Sequence, residues 1–492
     1  YKVFSVNKVD RTLVRTLEVL RNPANAKRVR SFHLDPAALR DLSRAEAIVN
    51  EHHRPPQQHG ALATFTTQLF QSLPGLSTSK SPQAGDPISA AKITEDLETV
   101  LPSLRNVDNF SFTWEMVSAF TEPYLPLAWR SLGTNLQYLR LNLHPRSVSS
   151  QLPHDINFPC LRSLHFSFTI ADDPRDLLLP VGESISRFIN KFEYTLESLY
   201  IGSPQRRDLR NMYASLTRFK KLQSFEISPH TFASPESLIT FLSNHSDTLT
   251  SLTYVSDSNP LFVNGLSNLE LHHLEKLVMR LHYVPYPKAW WNVPSPFFNS
   301  ISSTLRILTI EGAVTITELD QVLNALVGEN PKDAALEEFS VAVSSLSVEV
   351  LALLAKRVPS LKSLDLRIHD VVAKGGFPIT PSEFFPFTSS PPHPRQTTPG
   401  DFIQSGREVL LPLQWILADI TIKRRSCCGD LVQWGLMKFL AQCIPTIRSF
   451  ARRCTLAIPD PPNAKPEGKI CPLEVHCPFW AGPQEPPRDY SP

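Results

Sequence analysis

The chain has 492 residues, enough for several ordinary domains or one long repeat array. Its 49 lysines and arginines nearly balance 47 aspartates and glutamates, which speaks against the basic excess of a dedicated nucleic-acid binder. Its 17 glycines never cluster into a phosphate-cradling loop, and no apolar run is long enough to span a membrane.

In chain order, Val9–Leu34 reads as a helix, a short Pro-containing link and a strand on Val29-x-x-Phe32-x-Leu34. Residues 53–60 and 74–87 read as polar, Pro-containing loops around a helix from Leu62 to Leu73. A weak apolar repeat follows at Leu104-x-x-Val107, with Phe110 and Phe112 beyond it. The pattern L-x-x-L-x-L, with other large apolar residues standing in for leucine, then recurs nine times. Its copies begin at Leu136, Leu161, Leu196, Leu222, Leu249, Leu274, Leu305, Leu336 and Leu361, 25 to 35 residues apart. The L-x-L portion has the period of a strand, and the leucine three positions earlier turns the chain into it.

Between the copies lie helical patterns. Ser234 and Pro235 open one that carries Leu238, Phe241 and Leu242. Another takes Thr317 as its cap, places Leu319, Val322, Leu323 and Leu326 on one face, and ends at Gly328. A third, beginning SVEVL, stops before Pro359. Further on, Leu413–Ile422 alternates like a strand, GDLVQWGLMKFLAQC reads as an amphipathic helix, and Ile447-x-x-Phe450 is a last copy.

The expected fold class is therefore α/β, an irregular leucine-rich-repeat solenoid with a curved parallel sheet inside and helices outside. The expected divisions are 1–100 for N-terminal helices and a first irregular repeat, and 101–370 for the array. A Pro/Ser/Thr-rich insertion follows over 371–400, then C-terminal repeats or a cap over 401–455 and a Pro-rich tail over 456–492.

Chemical motifs are sparse. No H-E-x-x-H and no G-x-S-x-G occurs, so no catalytic residues and no cofactor are expected. His272-His273 reads as a solvated turn. Cys427, Cys428, Cys443, Cys454, Cys471, His476 and Cys477 gather near the C-terminus, but their spacing matches zinc ligation poorly and no metal is assigned. Trp290-Trp291, with Tyr283, Tyr286, Phe297 and Phe298, reads as a packed aromatic loop in preference to a binding hot spot. The seven scattered cysteines and the lack of a leader pattern point to an intracellular protein, cytoplasmic or nuclear. Residue 1 is Tyr, so a fragment or processed product is expected.

The candidate binding residues are those between the last two apolar positions of each copy, which face the concave side. They are Arg140, His165, Tyr200, Glu226, Thr253, Val278, Thr309, Ser340 and Asp365, with Arg280 and Arg367 two positions further along their strands. Their mixed chemistry suits a protein partner more than a phosphate backbone or a membrane.

The stretch VDRTLVRTLEVLRNPANAKRVRSFHL (Val9–Leu34), the stretch LAWRSLGTNLQYLRLNL (Leu127–Leu143) and the irregular repeats after them resemble the repeat region of fungal F-box/leucine-rich-repeat-like proteins. That resemblance implies substrate capture by the repeats. It also implies docking of an F-box, to be sought ahead of Tyr1, onto a Skp-type adaptor of a cullin ubiquitin ligase. Leu179–Glu183, followed by Ile185 and Ile189, resembles the start of an F-box but lies between repeat copies and reads as an ordinary outer helix. The alternative is a scaffold or regulator that uses the same surface with no ligase link.

Overall fold

In the computed structural model the described residues are 2–37, 88–114, 124–152, 158–228 apart from 172 and 206, 234–256, 268–281, 295–328, 334–372, and 406–450 apart from 414, 427, 428 and 433. Ten further positions (39, 41, 42, 231, 232, 266, 378, 379, 453 and 454) are also described. The chain forms two compact units, Tyr1–Lys221 and Leu222–Pro492. Each is an α/β solenoid in which strand, turn and helix repeat.

Among its described residues the first unit has six parallel strands: β1 (Val3–Val6), β2 (Ser31–Leu34), β3 (Asn109–Trp114), β4 (Tyr138–Leu143), β5 (Ser163–Phe168) and β6 (Ser198–Gly202). They pair strictly in chain order and in register, so that Phe32 meets Phe110, Leu139 meets Leu164, and Leu164 meets Leu199. The described residues of the second unit form eight: β7 (Ser224–Ile227), β8 (Ser251–Ser256), β9 (Lys276–Leu281), β10 (Ile307–Val314), β11 (Glu338–Leu346), β12 (Ser363–Val372), β13 (Asp419–Ser426) and β14 (Ser449–Phe450). These too are parallel and pair in chain order. Short antiparallel segments at Pro378–Ile379, Gly429–Val432 and Arg453–Cys454 fold back on β12, β13 and β14.

All nine apolar copies form strands, each beginning two residues after its first leucine. That leucine is fully buried in every copy. Within each unit, one carbonyl just before a strand accepts from two consecutive N–H groups of the next repeat. Gln137 takes Arg162 and Ser163, and the same pairing runs from Gln223 through Thr250, Glu275, Arg306, Glu337, Lys362 and Ala418. These bonds fix neighbouring repeats at the height where the leucine enters the core.

The helices bury the faces that the periodicity assigns them. Arg11–Leu20 is capped by the Asp10 carboxylate, which accepts from the Leu13 N–H at 2.9 Å, and buries Leu13, Leu17 and Leu20. Ser234 caps Pro235–Ser243, and Ser347 caps Val348–Arg357. For Ile316–Val327 the cap is Thr315 and not Thr317. Thr315 and Glu318 form a reciprocal capping box, and a cap at Thr317 would forfeit it. Thr315→Ala is expected to lower the unfolding free energy by about 1 kcal/mol, read from the urea midpoint. Gly328, at φ 60°, ends this helix as expected. In β10 the register shifts between Ile310 and Ala313, where Gly312 has φ 145°, and this bulge returns Val314 to the core.

Other expectations are corrected. Val107 with Phe110 and Phe112, and not Leu104 with Val107, sets the repeat frame of β3. The strand expected over Leu413–Ile422 is β13, which starts only at Asp419. The helix expected from Gly429 starts at Trp434, because 429–432 pair with β13 instead. β1 has no counterpart among the expected elements. Phe297 and Phe298 are buried, in keeping with packing. His272 and His273 lie exposed in a turn, as expected. The helix at Leu62–Leu73, Tyr283, Tyr286, Trp290, Trp291, all of 371–400 except 371, 372, 378 and 379, Cys427, Cys428, Cys471, His476, Cys477 and the tail over 456–492 lie outside the described residues.

Candidate functional site

Alternation along each strand sends one set of side chains into the core beneath the helices and the other onto the opposite face of the sheet. The strands are in register, so the second set lines up in rows. In the first unit one row runs Ser5, His33, Ser111, Arg140, His165, Tyr200. In the second unit it runs Glu226, Thr253, Val278, Thr309, Ser340, Asp365, Thr421. Arg280 and Arg367 sit in the next row, paired with Glu311 and Lys423 respectively. The structure thus places Arg140, His165 and Tyr200 side by side in one unit, and Glu226, Arg280, Asp365 and Arg367 in the other. Arg140 is exposed, and the other six are half-buried.

Thr253 and Val278 depart from expectation, since both are covered. Arg280 accounts for it. Its Nη1 reaches Glu226 Oε1 at 3.0 Å on β7, two strands away, and its Nε donates to Glu311 Oε2 at 3.0 Å on β10. The side chain therefore lies across the row that holds Thr253 and Val278. Further along, Lys423 Nζ donates to Asp365 Oδ2 at 3.4 Å, and Ser363 Oγ to Asp419 at 3.4 Å. The second unit's face largely neutralises its own charges by pairing across strands.

The first unit's face is built differently. His165 and Tyr200 stack at 3.8 Å between centroids, with planes 10° apart. The Tyr200 ring leans along its strand onto Gly202, where a Cβ would stand 2.4 Å from the Tyr200 Oη. Glycine there lets the ring lie flat. Burial, and then the charge of Arg140, push His165 down to about 4, so the imidazole is neutral at pH 7. The unfolded chain binds a proton at His165 near pH 6.5 while the native state refuses it until about 4. Stability should therefore fall as pH drops from 6.5 toward 4, with no contribution from this group above that window. Comparing urea midpoints at pH 7 and pH 5 for the wild type and His165→Phe checks this, since the variant should lose part of the acid sensitivity.

Beyond the ends of β4 and β5 lies a polar cluster that the sequence patterns did not reveal. His144, Asp176 and Arg207 are almost fully buried. The Asp176 carboxylate accepts from Arg146 Nε at 2.5 Å and lies 3.6 Å from His144 Nε2. The Asp176 carbonyl accepts from Arg207 Nη2 at 2.9 Å. The Arg207 guanidinium also sits 4.5 Å from the Phe168 ring centroid, and burial pushes its pKa down to about 10. The cluster holds the 3₁₀ turn Pro174–Leu178 in place, while Leu178 and Ile170 nearby are exposed. Among the described residues no His, Cys, Asp and Glu group is arranged to hold a metal, and no helix is long and apolar enough to cross a membrane.

No protein-family profile and no curated protein matches this chain. Solved structures with partial likeness include a Bacteroides fragilis protein at 18% identity and TM-score 0.33, covering 44% of this chain and 61% of its own. The Rad7–Elc1 complex of yeast matches at 14% identity and TM-score 0.34, over 58% of this chain and 76% of that one. A TLR13–ssRNA13 complex matches at 12% and TM-score 0.29, over 70% and 42%. The architecture described above rests on the strand pairing itself.

Proposed function

We propose that this chain is a protein-interaction module that captures a partner on the face of its sheet turned away from the helices. One observation carries this reading: apart from covered positions such as Thr253 and Val278, that face presents in-register rows of exposed and half-buried polar, aromatic and charged side chains on consecutive strands, while the opposite face is closed by packing. Row upon row of side chains held rigidly by backbone pairing forms a preorganised surface of the kind that repeat proteins use for recognition. Within a longer product carrying an F-box, the same capture would select substrates for a Skp-type adaptor and a cullin ubiquitin ligase. Without one, the module would serve as a scaffold or regulator.

The test places a photo-crosslinking residue at Ser111 or Ser340 on this face, and at Glu18 or Lys356 on the helices. One protein cross-linked from the face positions and not from the helices, and displaced when Ser111 or Ser340 is replaced by Trp, is the expected result. Cross-linking from the helix positions alone would overturn the reading. Copurification of a Skp-type adaptor with the longest natural product tests the ligase role separately.

A further inference from the structure

Charge is distributed very unequally between the two units' strands. β7 to β14 carry acidic and basic residues alike, among them Glu226, Arg280, Glu311, Asp365 and Lys423, which pair with one another across the face. β1 to β6 contain no Asp and no Glu, and apart from histidine their single charged residue is Arg140. Arg140 is exposed and has neither an ion pair nor a hydrogen bond among the described residues, its one electrostatic neighbour being His165. On one side its row neighbour is Ser111, and on the other is the flat stack of His165 on Tyr200. Tyr138, two residues before Arg140 on the same face of β4, is half exposed. Arginine and tyrosine are among the side chains that most often anchor protein contacts, and here Tyr138 and Tyr200 flank the one uncompensated positive charge of Arg140.

Resting on the module reading above, we propose that the first unit's sheet face docks an extended peptide segment bearing a single carboxylate, which pairs with Arg140 while its flanking residues lie on the Tyr200–His165 stack. A guanidinium binds a carboxylate with two parallel, charge-assisted hydrogen bonds; the strands offer Arg140 no acid, Asp35 beyond β2 being engaged by the Ala37 N–H, and the partner supplies it. A nucleic acid fits less well. Phosphate backbones gain affinity by pairing with several cations at once, and this face offers one cation among hydroxyls and a neutral imidazole. The geometry also sets the length. Six strands at about 4.8 Å spacing span roughly 24 Å, which an extended peptide crosses in about seven residues.

The experiment pans a displayed library of random peptides of about ten residues against the full chain, long enough to cross the face. The recovered peptides should share an Asp or Glu at one position. Their affinity should fall about tenfold in Arg140→Gln, a loss of about 1.4 kcal/mol. Replacing the shared acid by its amide should then cost nothing further in that variant. Gly202→Ala, which pushes Tyr200 out of place, should weaken binding without Arg140 being touched. Arg140→Gln should keep the wild-type melting curve, and Gly202→Ala should remain folded at the assay temperature. Recovered peptides that share no acid, losses that simply add, or no enrichment at all would overturn the proposal, as would Arg140-dependent binding of an oligothymidylate. Peptides that bind but respond only to Ser340→Arg in the second unit would sink this inference and leave the module reading standing. Peptides insensitive to changes on either face would sink both.

Discussion

Replacing Phe110 by alanine is expected to lower the stability of the first unit by about 3–5 kcal/mol, a large share of the roughly 5–15 kcal/mol that holds a domain together. Phe110 is fully buried. Its ring stacks on Phe32 at 5.4 Å and meets the edge of Trp129 at 5.8 Å, and Phe32 in turn stacks on Phe4 at 5.2 Å. Truncation removes the transfer free energy of a phenyl ring, opens a cavity under three strands, and breaks aromatic contacts worth about 0.5–1.5 kcal/mol each beyond area alone. In a repeat stack each unit leans on its nearest neighbours. Loss of hydrogen-exchange protection should therefore be greatest in β2 and β4, which flank the altered strand, as well as in β3. Phe110→Leu, which keeps most of the volume, should cost far less. A urea titration showing less than about 1 kcal/mol lost in Phe110→Ala would mean that the rings do not form a shared interior.

The same interior explains which parts of the architecture were legible in the sequence. Leu136, Leu161, Leu196 and their later equivalents announce themselves because a strand that buries one face must alternate, and because the turning leucine is needed at a fixed offset. β1 is hard to read because its turning position, three residues before Phe4, holds Tyr1 where the repeat copies hold leucine. At β3 the spacing misleads, because Leu104 belongs to the turn before the strand, while Val107 does the turning. β13 was placed too early because Trp415 and Leu417 are buried and alternate with Ile420 and Ile422, yet pairing with β12 begins only at Asp419. Strand periodicity also sufficed to pick the outward side chains, Arg140, His165 and Tyr200 among them. What it could not supply is their local company. Arg280 covers Thr253 because it reaches Glu226, 54 residues away, and that contact exists only once three strands are laid side by side. The same holds for the Asp176 cluster, whose members come from three segments of successive repeats and follow no spacing rule.

Asp176→Asn is expected to cost about 1.5–3 kcal/mol, since the buried carboxylate loses its charge-assisted hydrogen bond to the half-exposed Arg146 and Arg207 loses a neighbouring negative charge. The carboxylate sits against Arg146 and His144, and its charge offsets part of the burial that works against Arg207. Arg207 is 1% exposed, and its Nε and Nη1 have no hydrogen-bond partner among the described residues. An isosteric amide keeps the shape of the site while removing the negative charge, so the guanidinium would remain in a largely apolar setting beside Phe168 with its compensation gone. Two further variants separate this cause from local repacking. Asp173→Asn, which removes the more exposed partner of Arg146, should cost less than about 1 kcal/mol. Arg207→Met should restore most of the stability lost in Asp176→Asn, because it deletes the stranded charge and keeps the hydrophobic bulk. If unfolding titrations instead find the double variant no better than Asp176→Asn alone, then Asp176 acts through Arg146 and His144 on the turn Pro174–Leu178, and the buried arginine is stabilised by other means.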